Sequence, residues 1–247
     1  MAFLRPQHNL IADVLRSMDK DFLCRSKCYF GGGTAIVLQN GEYRLSLDID
    51  FLCADVAGYR ELRTAITRHG TQAIFGPEVE TIRGFKVDQY GIRGIVGLQD
   101  QAVKFEIVRE ARISLDGMLD AALGVPILSV ESLFAEKLLA NADRCLDRSV
   151  ACRDAIDLGF LIKATGYIPA ASIERAEIAY GSDVVRFMKT ALERLASPKE
   201  AEMAAVALQM TPSAVDDATR ALHSAAIAAW PNAEFPPLPD AGDGPGP

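Results

Sequence analysis

The sequence predicts an α+β protein, with a sheet-bearing N-terminal core followed by a helical C-terminal region. Three observations predict it. From residue 79 to 110, short runs of alternating apolar and polar residues are broken by Gly84, Gly91, Gly94, Gly97 and Asp100-Gln101, the signature of a β-meander. From 129 to 229, apolar residues recur at helical spacing. Gly124 and Pro126 punctuate the chain between the two patterns. Strands gathered first and helices second make an α+β arrangement. The expected divisions are a core over 1–125, a helical domain over 126–230, and a tail over 231–247 whose six prolines and three glycines predict disorder.

In chain order, Leu10, Val14 and Met18 fall at four-residue intervals and predict an amphipathic helix over 9–20. Lys27–Phe30 reads as a strand that runs into Gly31, Gly32 and Gly33, and Thr34–Gln39 can start a helix directly behind them. Free N–H groups and the positive dipole end at that helix start suit a phosphate. Asp48 and Asp50 alternate with Leu47, Ile49 and Phe51, so a strand turns both carboxylates to one face and the apolar residues to the other. Two adjacent carboxylates repel unless a cation sits between them, and oxygen ligands of this kind suit Mg²⁺ with Mn²⁺ as its substitute. A glycine turn or an Asp-x-Asp alone is ordinary. Their combination at this spacing, with Arg44 and Ser46 leading in, is not.

Tyr59–His69 reads as a helix with Leu62, Ala65 and Ile66 inward, and His69 near its C-terminus reads as a cap. His8 and His223 have no partner motif, so histidine chemistry has no support. In the third meander strand, Val103–Val108, Lys104 and Glu106 share a face. Ser129 is the expected N-cap of a helix over 129–144, where Phe134, Leu138 and Ala142 face inward and Lys137 and Arg144 share a stripe. Asp147–Lys163 is the next helix, where Arg153 and Asp157 are spaced to pair. By spacing alone this is a pair of solvated helices laced by salt bridges. Ser197-Pro198 and Thr211-Pro212 carry helix-start chemistry.

The totals set bounds. A net charge of −7 argues against a protein held to nucleic acid by overall charge, although a local basic cleft lined by Arg144, Arg148 and Arg153 stays open. The five cysteines have no zinc-type pairing and read as free thiols of a reducing cytoplasm. The N-terminus does not read as a signal peptide, and no apolar run is long enough to span a membrane.

The stretch GGTA…R-L-S-x-D-I-D-F resembles the first motif of the polymerase-beta-like nucleotidyltransferase superfamily, and within it the AbiEii/AbiGii-type toxins. The pattern S-x-E-x-L-x-x-E-K-L…R-D-x-x-D-L resembles the second half of the same domain. The resemblance implies a mixed sheet with flanking helices and a Mg²⁺-dependent transfer of a nucleoside monophosphate from an NTP. It implies nucleotide contacts from Gly32, Gly33, Thr34, Arg44, Ser46 and Lys137. Asp48, Asp50 and a third carboxylate at Glu106 are the implied metal ligands, and Lys137 with Asp154 or Asp157 completes the catalytic set. The implied acceptor is a tRNA end or a protein, and the implied partner is a cognate antitoxin in a toxin–antitoxin or phage-defence system. Two alternatives stand: a small-molecule enzyme acting on an aminoglycoside-like acceptor, and a non-catalytic relative that binds nucleotide or a partner protein.

Overall fold

Seven strands form one mixed sheet in a computed structural model that describes residues 2–239. They are β1 (Cys28–Gly31), β2 (Ile49–Cys53), β3 (Glu80–Val87), β4 (Gly91–Leu98), β5 (Gln101–Arg109), β6 (Gly117–Asp120) and β7 (Val125–Leu128). Their order is β3-β4-β5-β2-β1-β7-β6. The β2/β5 and β1/β7 pairs are parallel, and the other four are antiparallel. The expected meander is present as β3, β4 and β5. β6 had no clear signal in the sequence, because its exposed Met118 and Leu119 break the inward–outward alternation of a strand.

The chain divides into two compact units, one of Met1–Glu42 with Ser46–Leu133, the other of Tyr43–Leu45 with Phe134–Pro247. A boundary at residue 125 cuts off β7, whose four buried residues pair with β1 and β6 and belong to the sheet.

In the first unit the expected helix over 9–20 is two helices, α1 (Pro6–Arg16) and α2 (Lys20–Arg25). The break is chemical: Asp19 leaves the helix and caps α2, accepting the Phe22 N–H at 2.9 Å. Helix α3 (Gly32–Gln39) follows β1, and α4 (Val56–His69) follows β2 with Asp55 as its cap. An aromatic cluster holds one face of the sheet. Phe105 packs against Phe51, Phe75 and Phe85 at centroid distances of 5.1–6.0 Å, and Phe51 meets Phe30 at 5.6 Å. Alternation therefore turns Asp50 and Glu106 to the opposite face.

Helix α5 (Val130–Arg144) starts where Ser129 accepts the Ser132 N–H, as expected. The second unit continues with α6 (Arg153–Thr165), α7 (Ala170–Tyr180), α8 (Asp183–Leu195), α9 (Pro198–Leu208) and α10 (Pro212–Ala229). Both Pro-led helix starts are present. After α10 the chain is irregular to Pro239, with the Pro236 and Pro239 carbonyls bonded by His223 and Arg220. The rest of the predicted tail, 240–247, lies outside the described residues.

Candidate active site

Gly31 closes β1 directly opposite Asp50 on β2, and Asp50 is laterally paired with Glu106 on β5. Glu106 in turn faces Arg93 on β4. One row across four strands thus reads Gly31, Asp50, Glu106, Arg93. The Arg93 Nε donates to Glu106 at 2.6 Å, and its Nη1 lies 3.4 Å from Asp88. The neighbouring row sets Lys104 beside Asp48, with 3.6 Å between ammonium and carboxylate. Asp48 precedes the first paired residue of β2 and its side chain is 46% exposed.

Gly32 is the residue that the row requires to be glycine. It starts α3 with φ +67°, and a Cβ there would lie 2.7 Å from Asp50 Oδ2. The space beside that carboxylate is a cradle that any other side chain fills. Gly33 and Thr34 form the first turn of α3. Thr34, buried, bonds the Ser46 hydroxyl at 2.8 Å and so ties the helix start to the loop that leads into Asp48.

That loop is held from below by a residue that belongs to no sequence motif. His8, fully buried on α1, lies 2.8 Å from Glu42 through Nδ1 and accepts the Ser46 N–H at Nε2. Glu42 also accepts the backbone N–H groups of Leu4 and Arg5. Burial alone would raise the Glu42 carboxyl; these donors hold it below the usual range. Only a long-range contact reveals the pair, since His8 and Glu42 are 34 residues apart.

The second unit contains the other predicted charges, and they form one buried network. Asp157, fully buried, takes two parallel bonds from Arg44, at 2.8 Å from Nε and 2.9 Å from Nη2. The Tyr43 hydroxyl donates to the same carboxylate at 2.7 Å, and its ring stacks on Phe160 at 3.6 Å. The Lys137 ammonium, on a residue only 4% exposed, lies 2.9 Å from both Asp154 and Asp157. Arg144 closes the set on Asp154 at 2.6 and 2.9 Å. Burial opposes the charges of Asp154, Asp157, Lys137 and Arg44. The opposite charges outweigh it, holding Asp154 and Asp157 well below the usual carboxylate range and Lys137 and Arg44 above theirs.

Three expectations change here. Lys137 of α5 and Asp154 and Asp157 of α6 are buried rather than solvated. Asp157 pairs with Arg44 and Lys137 rather than with Arg153, because its side chain turns into the unit while position 153 sits at the helix start. Of the three arginines suggested for a basic cleft, Arg144 is taken up by Asp154, while Arg148 stays exposed with a 3.7 Å contact to Glu200.

The carboxylates Asp48, Asp50 and Glu106 share one sheet face, yet among the described residues no group of three or more His, Cys, Asp or Glu side chains is gathered to hold a metal ion. Glu106 is turned to Arg93. Asp48 and Asp50 offer only oxygen donors, next to the Gly32 cradle, and this fits a hard divalent cation that keeps water and phosphate ligands.

Residues 13–230 match the family model for the nucleotidyl transferase AbiEii toxin of type IV toxin–antitoxin systems. The chain belongs to the AbiEii family. Two crystal structures share its fold. One is of a candidate nucleotidyltransferase from Helicobacter pylori, with a TM-score of 0.55 and 16% identity over 95% of this chain and 100% of the other. The second is JHP933 from Helicobacter pylori, with a TM-score of 0.54 and 16% identity over 94% and 96%. No curated protein matches the chain. The seven-stranded mixed sheet with its flanking helices is thus a nucleotidyltransferase fold, and membership implies a cognate antitoxin. Among the described residues no helix is long and apolar enough to cross a membrane.

Proposed function

We propose that this AbiEii-family chain transfers a nucleoside monophosphate from an NTP to an RNA end or a protein, as the toxin of a cytoplasmic toxin–antitoxin or phage-defence system. The observation that carries this reading is the row Gly31–Asp50–Glu106, with the Gly32 cradle against the Asp50 carboxylate. A phosphate needs close backbone approach and free N–H donors, and the start of α3 at Gly32, Gly33 and Thr34 offers both.

Asp48 and Asp50 would hold the divalent cation. When bound, that cation offsets charge on the NTP phosphates and aligns them for in-line attack. The remaining work falls to the protein's own side chains. Thr34 and Ser46 fix the loop that aims Asp48. Glu106, oriented by Arg93, accepts the proton of the attacking hydroxyl. Lys137 carries three N–H donors, of which Asp154 and Asp157 take two. By the family resemblance, Lys137 is the residue that would offset charge building on the departing pyrophosphate. Arg44 and Tyr43 act through Asp157, holding it so that the lysine keeps its aim.

The test is incubation with each α-phosphate-radiolabelled NTP, Mg²⁺, and total bacterial RNA plus protein extract. Label on RNA or on a protein band, absent with Asp48→Ala, supports the reading and names the acceptor. Label on an added aminoglycoside instead supports the small-molecule enzyme. Nucleotide binding without transfer to any acceptor supports the non-catalytic relative.

A further inference from the structure

The outer face of α4 is basic in an acidic protein. Tyr59, Leu62 and Ile66 are buried, which turns Arg60, Arg63, Thr64, Thr67 and Arg68 outward at three- and four-residue spacing. All three arginines are exposed, and among the described residues none makes an ion pair. The helix carries one carboxylate, Glu61, while the whole chain has a net charge of −7. The nearby Asp88 is engaged by Arg93. Arg44, Lys137 and Arg144, by contrast, are taken up by buried aspartates.

The face also has shape. A hollow of about 380 Å³ runs along one side of the helix, lined by Arg63, Thr67 and the turn at Asp88 and Gln89. A second of about 370 Å³ runs along the other, lined by Phe22, Arg60 and His69. Thr64 and Arg68 border both. The half-buried Phe22 ring carries Arg25 at 5.5 Å from its centroid.

We propose that this face of α4 docks the phosphodiester backbone of an RNA. The inference rests on the transferase reading for any link to catalysis but not for binding. Arg60 to Arg68 spans about 12 Å along the helix axis, too long for the phosphate of one mononucleotide and suited to successive phosphates of a chain. Guanidinium forks match phosphate oxygens in pairs, and a ring beside them offers a base a stacking surface. The face lacks the row of large apolar side chains that a membrane-lying helix inserts, so a lipid surface is the disfavoured partner.

The experiment measures binding of fluorescent bulk tRNA to the full chain across a salt series. It compares wild type with Arg60→Gln/Arg63→Gln/Arg68→Gln and with a control losing the same charge on the second unit, Arg186→Gln/Lys189→Gln/Lys199→Gln. The α4 variant should bind at least about tenfold more weakly near 100 mM salt, and the slope of log affinity against log salt should fall by about 2–3. The control should stay close to wild type, and circular dichroism should show both folded. Equal affinity for the α4 variant and wild type overturns the proposal, as does equal loss in both variants. Binding to phosphatidylserine vesicles with none to tRNA overturns it too. If tRNA binds through α4 but no nucleotide is transferred, the docking surface stands and the transferase reading falls. If nucleotide is transferred and the α4 variant binds tRNA normally, the reverse holds.

Discussion

Asp50 and Glu106 are lateral neighbours on the parallel strands β2 and β5, yet their carboxylates have different surroundings. Glu106 takes the Arg93 Nε–H at 2.6 Å, and Asp50 Oδ2 lies 2.7 Å from where a Cβ on Gly32 would stand. The proposed function gives them different work. Asp50→Asn should abolish transfer, whereas Glu106→Gln should keep metal and nucleotide binding and slow the transfer step by about 10²–10⁴-fold, the usual contribution of a general base. Calorimetric titration of Mg²⁺ and NTP beside single-turnover kinetics separates the two. Equal loss of metal binding in both variants would make Glu106 a ligand instead.

Gly32→Ala tests the cradle. The substitution forces a side chain into the left-handed region, where the cost is about 1–2 kcal/mol, and brings its Cβ to 2.7 Å from Asp50 Oδ2. The variant should melt several degrees lower and lose transfer. Gly41→Ala shares the positive φ but has open space around it, so it should lose only the stability.

The buried network of the second unit predicts an asymmetric response. Asp157→Asn leaves Arg44 buried without its carboxylate and should cost about 3–5 kcal/mol in urea unfolding. Lys137→Met leaves each aspartate with its own arginine, so it should destabilise less while removing activity. A Lys137→Met protein with wild-type transfer rates would confine the lysine to a structural role.

Acid stability follows from the same network. Asp154 and Asp157 have folded-state values below the ordinary carboxylate range, so the unfolded chain binds more protons as pH falls through that range. Their stabilisation is present in full above it and declines as pH drops toward the folded-state values. Urea midpoints should therefore fall steadily below about pH 4. In Asp154→Asn the decline should be shallower, and a profile as steep as that of wild type would contradict the assignment.

Much of this was legible in the sequence because its signals are local. Ser129, Pro198 and Pro212 mark helix starts, the broken alternation over 79–110 marks three strands, and Gly32 with Asp48 and Asp50 marks the glycine turn and its facing carboxylates. What was not legible depends on distant partners. Arg44 lies 113 residues from Asp157, so nothing near Arg44 shows that its guanidinium turns to a buried aspartate. Helical spacing put Lys137 and Arg144 on one stripe of α5 but could not show that Asp154 lies against both. His8 has no motif around it, since its partners Glu42 and Ser46 arrive through tertiary folding alone.

The central claim is that Asp50 belongs to a working nucleotidyl-transfer site. The most direct measurement is the single-turnover rate of label transfer from α-phosphate-labelled NTP to bacterial RNA or protein, wild type against Asp50→Asn at matched fold content. The account predicts transfer by wild type and a loss on the order of 10³-fold or more in the variant, as expected for an interaction that acts in the transition state. Equal rates in the two proteins, or no transfer by wild type to any acceptor while NTP still binds, would contradict it.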